Sequence, residues 1–350
     1  MLTLRDFGIS IRSILLAASL AALLAGCAST SSETSSPGHS KSSTSETANV
    51  AYAGSLQNVN ELQISPAFTQ ATRYKYQGKG GGAVGIAQEI KSKTIAPNVF
   101  ESIGYAPIQL IEPQSTSWAI AFSSSPLVVA YNPNSKFASE LTAIKSGRTP
   151  LADLFALMAQ PGFHLGRTNP NTDPQGQAFY EMVELGVKKY NLSPSLVRQI
   201  LGPVDNSHEV YSETGILSLL QSGGLDAASA FLPEALQRHL DYISLPASLN
   251  FSSQADASLY QEATIQLGNG SIVKGVPLTI DITTVGAPNP AAVSFIHFLL
   301  GPNGRSIMKK AGYPTFAPMI IGNPKAVPNG ILTNGILTNG ILTNGILTNG

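Results

Sequence analysis

Two short segments carry residues that could bind a small anion. Gly54 and Ser55 follow a predicted strand; glycine lets the backbone approach a solute closely, and the serine hydroxyl can donate a hydrogen bond beside exposed amide N–H groups. The glycine-rich run 78–82 leads into a predicted helix at Ala83, and the start of a helix attracts anions. The run lacks the Lys-Ser or Lys-Thr pair that ends a P-loop. A simple tight turn also explains the first segment, and a flexible hinge loop also explains the second.

A third segment, residues 166–176, joins a predicted strand to a predicted helix. Asp173 is placed to cap that helix, and Pro174 stands at its first position, where proline is favoured. Two roles remain open for Asp173. Its carboxylate either only caps the helix or also reaches a ligand across a cleft.

Signatures of enzymes and metal sites are absent from the sequence. Residues 271–274 and 306–309 match S-x-x-K but lack the accompanying Ser-Asp-Asn and Lys-Thr-Gly triplets. The histidines occur singly, without metal-ligand spacing, at His39, His164, His208, His239 and His297. We therefore expect no enzymatic activity, no cofactor and no metal centre built by the protein.

The composition indicates a folded protein without a basic surface. Hydrophobic residues make up 43% of the 350 residues, charged residues 12%, and 21 Lys and Arg balance 21 Asp and Glu. Because no Lys/Arg run is present, nucleic acid is not an expected partner.

The N-terminus predicts export and membrane anchoring. Arg5 and Arg12 precede an apolar run, residues 14–24, which is short for a transmembrane helix but typical of a signal peptide. The following Leu-Ala-Gly-Cys, ending at Cys27, resembles the bacterial lipobox. Cys27 is the single cysteine, so no intramolecular disulfide is possible. We expect lipidation of Cys27 and a place on the extracytoplasmic face of the cell envelope; an ordinary cleaved signal with a chance cysteine is the alternative.

Between the two ends, strand-like and helix-like patterns alternate, which favours an α/β architecture with mainly parallel sheets. The predicted strands are 50–53, 99–101, 119–122, 127–131 and 163–166. The predicted helices are 83–93, 151–158 and 175–190.

Both ends of the mature chain have biased composition. Residues 27–48 form a Ser/Thr-rich stretch that we interpret as a flexible tether. Residues 327–350 contain an Asn-Gly-Ile-Leu-Thr repeat with a period of five. Asn-Gly favours tight turns, so a hairpin stack is conceivable, but the run is short and a weakly structured or disordered tail is the favoured interpretation.

Taken in order, these blocks resemble the tungstate/molybdate-binding proteins of ABC importers. The resemblance covers roughly residues 50–318, and it rests on the segments 53–56, 118–131, 135–136, 166–176, 219–226, 267–277 and 289–308. It implies a type II periplasmic-binding fold in which two α/β lobes are joined by crossing strands. The implied boundaries are a signal peptide at 1–26, lobe 1 at 49–131, lobe 2 at 132–270, and the hinge return with the rest of lobe 1 at 271–326.

The resemblance also implies how such a protein would work. A small oxyanion would be bound between the lobes of a monomer, the lobes would close by a hinge motion, and an ABC permease would recognise the closed form. Two alternatives stay open. The same fold could bind another anion or a small organic solute, or the protein could be a surface or sensory lipoprotein without a transport role.

Site residues carry over from the family only in part. Ser55 matches the first oxyanion-contacting serine, and Asp173 matches an aspartate that in some members adds a ligand to the metal of the bound oxyanion. The second serine position falls at Ala83, and a glutamate used by some members falls at Ala230. The usual Ala-Asp-Val segment is replaced by residues 97–99. The remaining candidate ligand-binding residues are Gly54, Gly82, Ser102 and Tyr211.

Overall fold

The computed structural model describes residues 46–331, 341–343 and 346–348. The predicted signal peptide, Cys27, most of the predicted tether and much of the repeat tail lie outside these residues. Within them, no helix combines the length and the apolar character needed to cross a membrane.

Fifteen β-strands are present in the described part of the chain. In chain order they are β1 (Thr47–Ala53), β2 (Lys75–Gly81), β3 (Val99–Ile103), β4 (Trp118–Ser124), β5 (Leu127–Tyr131), β6 (Leu165–Thr168), β7 (Val210–Tyr211), β8 (Ala227–Phe231), β9 (Asp241–Ser244), β10 (Thr264–Gln266), β11 (Ile272–Lys274), β12 (Thr279–Thr284), β13 (Thr315–Gly322), β14 (Ile341–Thr343) and β15 (Ile346–Thr348).

The α-helices lie mostly between these strands. In chain order they are α1 (Gln57–Val59), α2 (Ser65–Thr72), α3 (Ala83–Lys91), α4 (Ala106–Gln109), α5 (Ala138–Lys145), α6 (Asp153–Met158), α7 (Pro174–Lys189), α8 (Ser195–Leu201), α9 (Glu213–Gln221), α10 (Leu232–Gln237), α11 (Ala247–Asn250), α12 (Ala257–Tyr260), α13 (Pro290–Leu300) and α14 (Pro302–Lys310). A 3₁₀ turn (Gly54–Leu56) and a π-helical segment (Asn60–Ile64) surround α1, and two further 3₁₀ turns are Gln254–Asp256 and Pro324–Ala326.

Two sheets define two lobes. Lobe 1 contains the sheet with strand order β2-β1-β3-β12-β4-β13-β14-β15, and lobe 2 contains the sheet β7-β6-β8-β5-β9. In lobe 1, β2, β1 and β3 are parallel, and β12 runs antiparallel to both of its neighbours, β3 and β4. In lobe 2, β7, β6 and β8 are parallel, and β5 runs antiparallel to β8 and β9. The predicted α/β fold is therefore confirmed, with antiparallel strands next to the crossings.

The chain crosses between the lobes in two places. It leaves lobe 1 between β4 and β5 through Ser125 and Pro126, and it returns just before β12. The two crossings are hydrogen-bonded to each other, because the Ser125 N–H donates to the Leu278 carbonyl at 2.9 Å. All residues of β4, β5 and β12 are buried, which is typical of strands covered on both faces.

The glycine-rich run is mostly a strand. Residues 78–81 belong to β2, the edge strand of the lobe 1 sheet, and only Gly82 precedes the helix. A Cβ atom added to Gly78 would lie 2.0 Å from Oε1 of Glu61, and a Cβ atom added to Gly80 would lie 2.7 Å from the Tyr52 ring. The hinge-loop interpretation is therefore wrong for this run: glycine is required at positions 78 and 80 because Tyr52 and Glu61 pack against the strand there.

The described part of the repeat tail extends the lobe 1 sheet. Ile-Leu-Thr triplets form β14 and β15; β14 pairs with β13 in parallel, and β15 pairs with β14 in antiparallel orientation. These triplets thus follow the hairpin alternative and not the favoured interpretation of a disordered tail.

Candidate functional site

The first predicted site segment lies where β1 ends. Gly54 and Ser55 form the 3₁₀ turn that follows Ala53, and this turn packs against α9 of lobe 2. Ser55 is only 4% exposed. The Tyr313 hydroxyl donates a hydrogen bond of 2.9 Å to the Ser55 carbonyl, which fixes the turn from the C-terminal part of lobe 1. Ser55 therefore lies at the boundary between the lobes.

The second segment contacts lobe 2 directly. Ala83, the first residue of α3, is fully buried. The N–H groups of Val84 and Gly85 donate to the carbonyl of Thr172 at 3.1 and 3.2 Å. Two of the helix-start donors that we expected to face a ligand are therefore bound to a carbonyl of lobe 2.

Asp173 lies beside this contact. It is 3% exposed, and its Oδ1 accepts a hydrogen bond of 2.8 Å from the Gln175 N–H, so the predicted cap of α7 is confirmed. Burial raises the pKa of Asp173 to about 6, although the Gln175 N–H and the Thr168 hydroxyl stabilise the charged form and lower it. Gly82 and Asp173 come together, since a Cβ atom added to Gly82 would lie 3.6 Å from the Asp173 Cβ.

A second buried carboxyl group, Glu234, was not identified from the sequence. It is 7% exposed, and its Oε2 accepts hydrogen bonds from the Gln175 side-chain amide at 2.8 Å and from the Phe231 N–H at 2.9 Å. Burial, helped by the negative charge of Asp173, raises the pKa of Glu234 to about 7, although the Phe231 N–H stabilises the charged form and opposes the shift. Ser229 completes this network by donating to Gln175 Oε1 at 2.9 Å.

The position of Glu234 differs from the position that the resemblance implied. Ala230, where a family glutamate was expected, is a fully buried residue of β8. Glu234 stands four residues later, in the first turn of α10 and directly after Pro233. A proline followed by glutamate is the usual sequence signal of a helix start, and it could have drawn attention to this carboxyl group.

Ser102 and Tyr211 have hydrogen-bonding partners outside this cluster. Ser102, in β3, donates from Oγ to the Gly104 carbonyl at 2.9 Å. Tyr211, in the edge strand β7, donates to the His208 carbonyl at 3.2 Å. Both hydroxyls therefore donate to backbone carbonyls two or three residues away in the chain.

Arg167 is the buried cation nearest in sequence to this region, and it makes its hydrogen bonds within lobe 2. Its Nη2 donates to the carbonyls of Leu201, Pro203 and Val204 at 2.9–3.1 Å, and its Nε lies 3.5 Å from Oε2 of Glu209. Burial lowers the pKa of Arg167, and the charge of Glu209 opposes that effect. Arg167 therefore holds the loop after α8.

The chemistry available in this region is hydrogen bonding by neutral groups. Backbone N–H groups and hydroxyls are donors without charge, and a buried carboxyl with a raised pKa carries its proton more readily and can then donate to an oxyanion. The described residues include no group of three or more His, Cys, Asp or Glu side chains placed to hold a metal ion.

Similar proteins are found by sequence and by structure. An uncharacterized solute-binding protein of Petrotoga mobilis is 28% identical over 280 residues, covering 77% of this chain and 84% of that protein. A molybdate/tungstate-binding protein of Thermococcus kodakarensis is 26% identical over 331 residues, covering 87% and 90%. The periplasmic molybdate-binding protein of Azotobacter vinelandii has the same fold, with a TM-score of 0.52 at 16% identity, over 77% of this chain and 98% of that one.

The family assignment rests on the match to a family model. The model described as bacterial extracellular solute-binding protein matches residues 48–314, which include both sheets up to β12 and the helices that follow. The chain therefore belongs to the family of bacterial extracellular solute-binding proteins.

Proposed function

We propose that the protein is the extracytoplasmic solute-binding lipoprotein of an ABC importer and that it binds an oxyanion such as tungstate or molybdate between its lobes. One observation carries the proposal: the turn at Ser55 and the start of α3, both in lobe 1, meet lobe 2 at α9 and at Thr172–Asp173. Neutral donors were expected from the sequence in both elements; because the Val84 and Gly85 N–H groups bind Thr172, the turn at Ser55 is the candidate donor element of lobe 1.

The names of relatives support the ligand class. The Thermococcus kodakarensis relative is named for molybdate and tungstate, and it aligns with this chain over nearly its whole length. Both anions carry two negative charges and four oxygen atoms, and a buried dianion needs donors for nearly all of its oxygens. Ser55, backbone N–H groups and protonated carboxyl groups can supply such donors without a Lys or Arg side chain.

A different anion or a small organic solute is the second candidate. Alanine replaces the expected serine at position 83 and the expected glutamate at position 230, and both alanines are fully buried. Each lost charge-assisted hydrogen bond could cost about 1.5–3 kcal/mol of binding free energy. A guest with fewer acceptor oxygens would suit such a site better than a tetrahedral dianion.

Isothermal titration calorimetry of the purified protein separates these candidates. Molybdate, tungstate, sulfate, phosphate and a panel of small carboxylic acids are titrated under the same conditions. Heat with molybdate or tungstate supports the proposal, and heat only with an organic acid supports the second candidate. If none of the four inorganic oxyanions releases or absorbs heat, the oxyanion proposal is wrong.

The transport role has its own test. An importer component should restore uptake of the bound solute when it is expressed with its permease and ATPase, and deletion of the protein should abolish that uptake. A solute that binds but whose uptake is independent of the protein would favour a surface or sensory lipoprotein.

A further inference from the structure

The two lobes share a contact that consists only of backbone atoms. The carbonyl of Thr172, in lobe 2, accepts hydrogen bonds from the N–H groups of Val84 and Gly85, in lobe 1. The first N–H groups of any α-helix lack partners within the helix, so this carbonyl satisfies two donors of α3 that would otherwise need water or a ligand. Thr172 is itself held, because its N–H donates to the Asn169 carbonyl at 3.1 Å.

Gly82 is the residue that permits this contact. A Cβ atom added to Gly82 would lie 2.8 Å from the Thr172 carbonyl oxygen, which is closer than such atoms approach each other in proteins. The backbone of Gly82 has φ −55° and ψ 126°, a conformation that every amino acid can adopt. Glycine is therefore needed at this position for the close approach of lobe 2 and not for its own backbone conformation.

We propose that the Thr172 carbonyl and the start of α3 form a closure latch, and that Gly82 is the positioning residue that lets the latch engage. In the open form water would hydrate both partners, and closure exchanges that water for two hydrogen bonds that involve no ligand atom. The latch rests on the proposed function, since it contributes to affinity only if a solute is enclosed between the lobes.

The latch also limits which donors a guest can use. While it is engaged, the N–H groups of Val84 and Gly85 are bound to Thr172 and cannot bind an anion. A guest must therefore take its hydrogen bonds from the neighbouring elements, namely the turn at Ser55 and the first residues of the lobe 2 helices. In the closed form the start of α3 therefore binds lobe 2 and does not bind the anion.

The test compares Gly82→Ala with a matched control, Gly81→Ala. The added methyl at Gly82 meets the Thr172 carbonyl, whereas the methyl at Gly81 meets only the Ile86 side chain within lobe 1, at 3.2 Å from its Cδ1. With molybdate as the probe, Gly82→Ala should weaken binding roughly tenfold or more, mainly through faster dissociation, and Gly81→Ala should change it less than about twofold. Circular dichroism and the unfolding midpoint of the ligand-free variants verify that both fold.

Two further measurements do not depend on molybdate affinity. Small-angle X-ray scattering should give a larger radius of gyration for ligand-free Gly82→Ala than for the ligand-free natural protein. In the natural protein, hydrogen exchange at the Val84 and Gly85 amides should be slower than expected for unprotected N–H groups at a helix start.

The possible outcomes distinguish a failure of the latch proposal from a failure of the proposed function. If the natural protein binds molybdate and Gly82→Ala matches it in affinity, dissociation rate and radius of gyration, the latch is wrong and the function stands. If the natural protein binds none of the oxyanions tested, the proposed function is wrong, and the scattering and exchange measurements still decide whether the lobes are held by Thr172. Unprotected Val84 and Gly85 amides would overturn the latch even if Gly82→Ala failed to fold.

Discussion

The side-chain amide of Gln175 donates a hydrogen bond of 2.8 Å to Oε2 of Glu234 and so joins the first turns of α7 and α10. The backbone N–H of the same Gln175 donates to Asp173. One fully buried residue thus contacts two buried carboxyl groups, of which Asp173 lies beside Gly82.

Replacement of Ser55 should affect ligand binding more than folding. Ser55→Ala removes one hydroxyl from a residue at the boundary of the lobes, and the loss of one hydrogen bond to a charged ligand corresponds to a roughly 10- to 100-fold weaker Kd. Calorimetry with the best oxyanion measures the change. Ser222→Ala, at an exposed position, is the control and should bind normally. Unchanged affinity of Ser55→Ala would remove Ser55 from the site.

The carboxyl of Glu234 should make stability fall as pH rises. Its pKa is raised from 4.5 to about 7 by burial, so the folded state holds the proton more tightly than the unfolded state. The free energy of unfolding should therefore decrease between pH 4.5 and about 7, by up to about 3 kcal/mol from this group, and stay level above that range.

Glu234→Gln tests this pH dependence, because its side-chain oxygen can still accept from Gln175 and Phe231. Urea unfolding at several pH values should show that the variant gains stability relative to the natural protein as pH rises through this window. Glu140→Gln, at an exposed position of α5, should show no such trend. Parallel curves for Glu234→Gln and the natural protein would contradict the prediction.

A methyl group added at Gly186 should destabilise lobe 2. A Cβ atom at this position of α7 would lie 2.0 Å from Cζ of Phe155, which is fully buried and cannot easily move. Gly186→Ala should cost about 1–3 kcal/mol of the free energy of unfolding, measured with urea. Gly85→Ala in α3 is the comparison: nothing lies within 4 Å of its added Cβ, so it should be neutral or stabilising by about 1 kcal/mol. Equal stability of the two variants would count against this packing argument.

Cys27→Ser should release the protein from the membrane. Without the thiol no lipid can be attached, and cell fractionation should then find the protein in the soluble extracytoplasmic fraction. A variant that stays with the membrane would show that another segment holds it there.

Apolar patterns predicted much of the fold. The predicted strand 127–131 coincides with β5, because both faces of this strand are buried and its apolar run is continuous. The predicted strand 163–166 begins and ends two residues before β6. The apolar pattern does not reveal the true end of β6 because Arg167 and Thr168 are polar. Arg167 is nevertheless buried, because three loop carbonyls accept hydrogen bonds from its guanidinium group. No local pattern reveals such distant partners.

The candidate site was less predictable than the fold. Asp173 and Gly82 were selected from helix-start chemistry, and the structure brings them together. β2 was missed because its glycines suggested a loop, whereas they accommodate Tyr52 and Glu61 from other elements. Glu234 was missed because an alignment without gaps points to Ala230. Which carboxyl group can accept from Gln175 depends on where β8 ends and α10 begins, and the alignment alone does not reveal that boundary.

The position of β12 has a consequence for synthesis of the protein. β12 lies between β3 and β4 in the lobe 1 sheet, yet it is translated after every strand of the lobe 2 sheet. A nascent chain that has just passed residue 274 therefore holds all five strands of the lobe 2 sheet, while the lobe 1 sheet still has a gap at its centre. Because domains tend to fold as units while the chain emerges, we expect lobe 2 to complete its sheet first and lobe 1 to close around β12 and β13 only after the C-terminal part of the chain has been made.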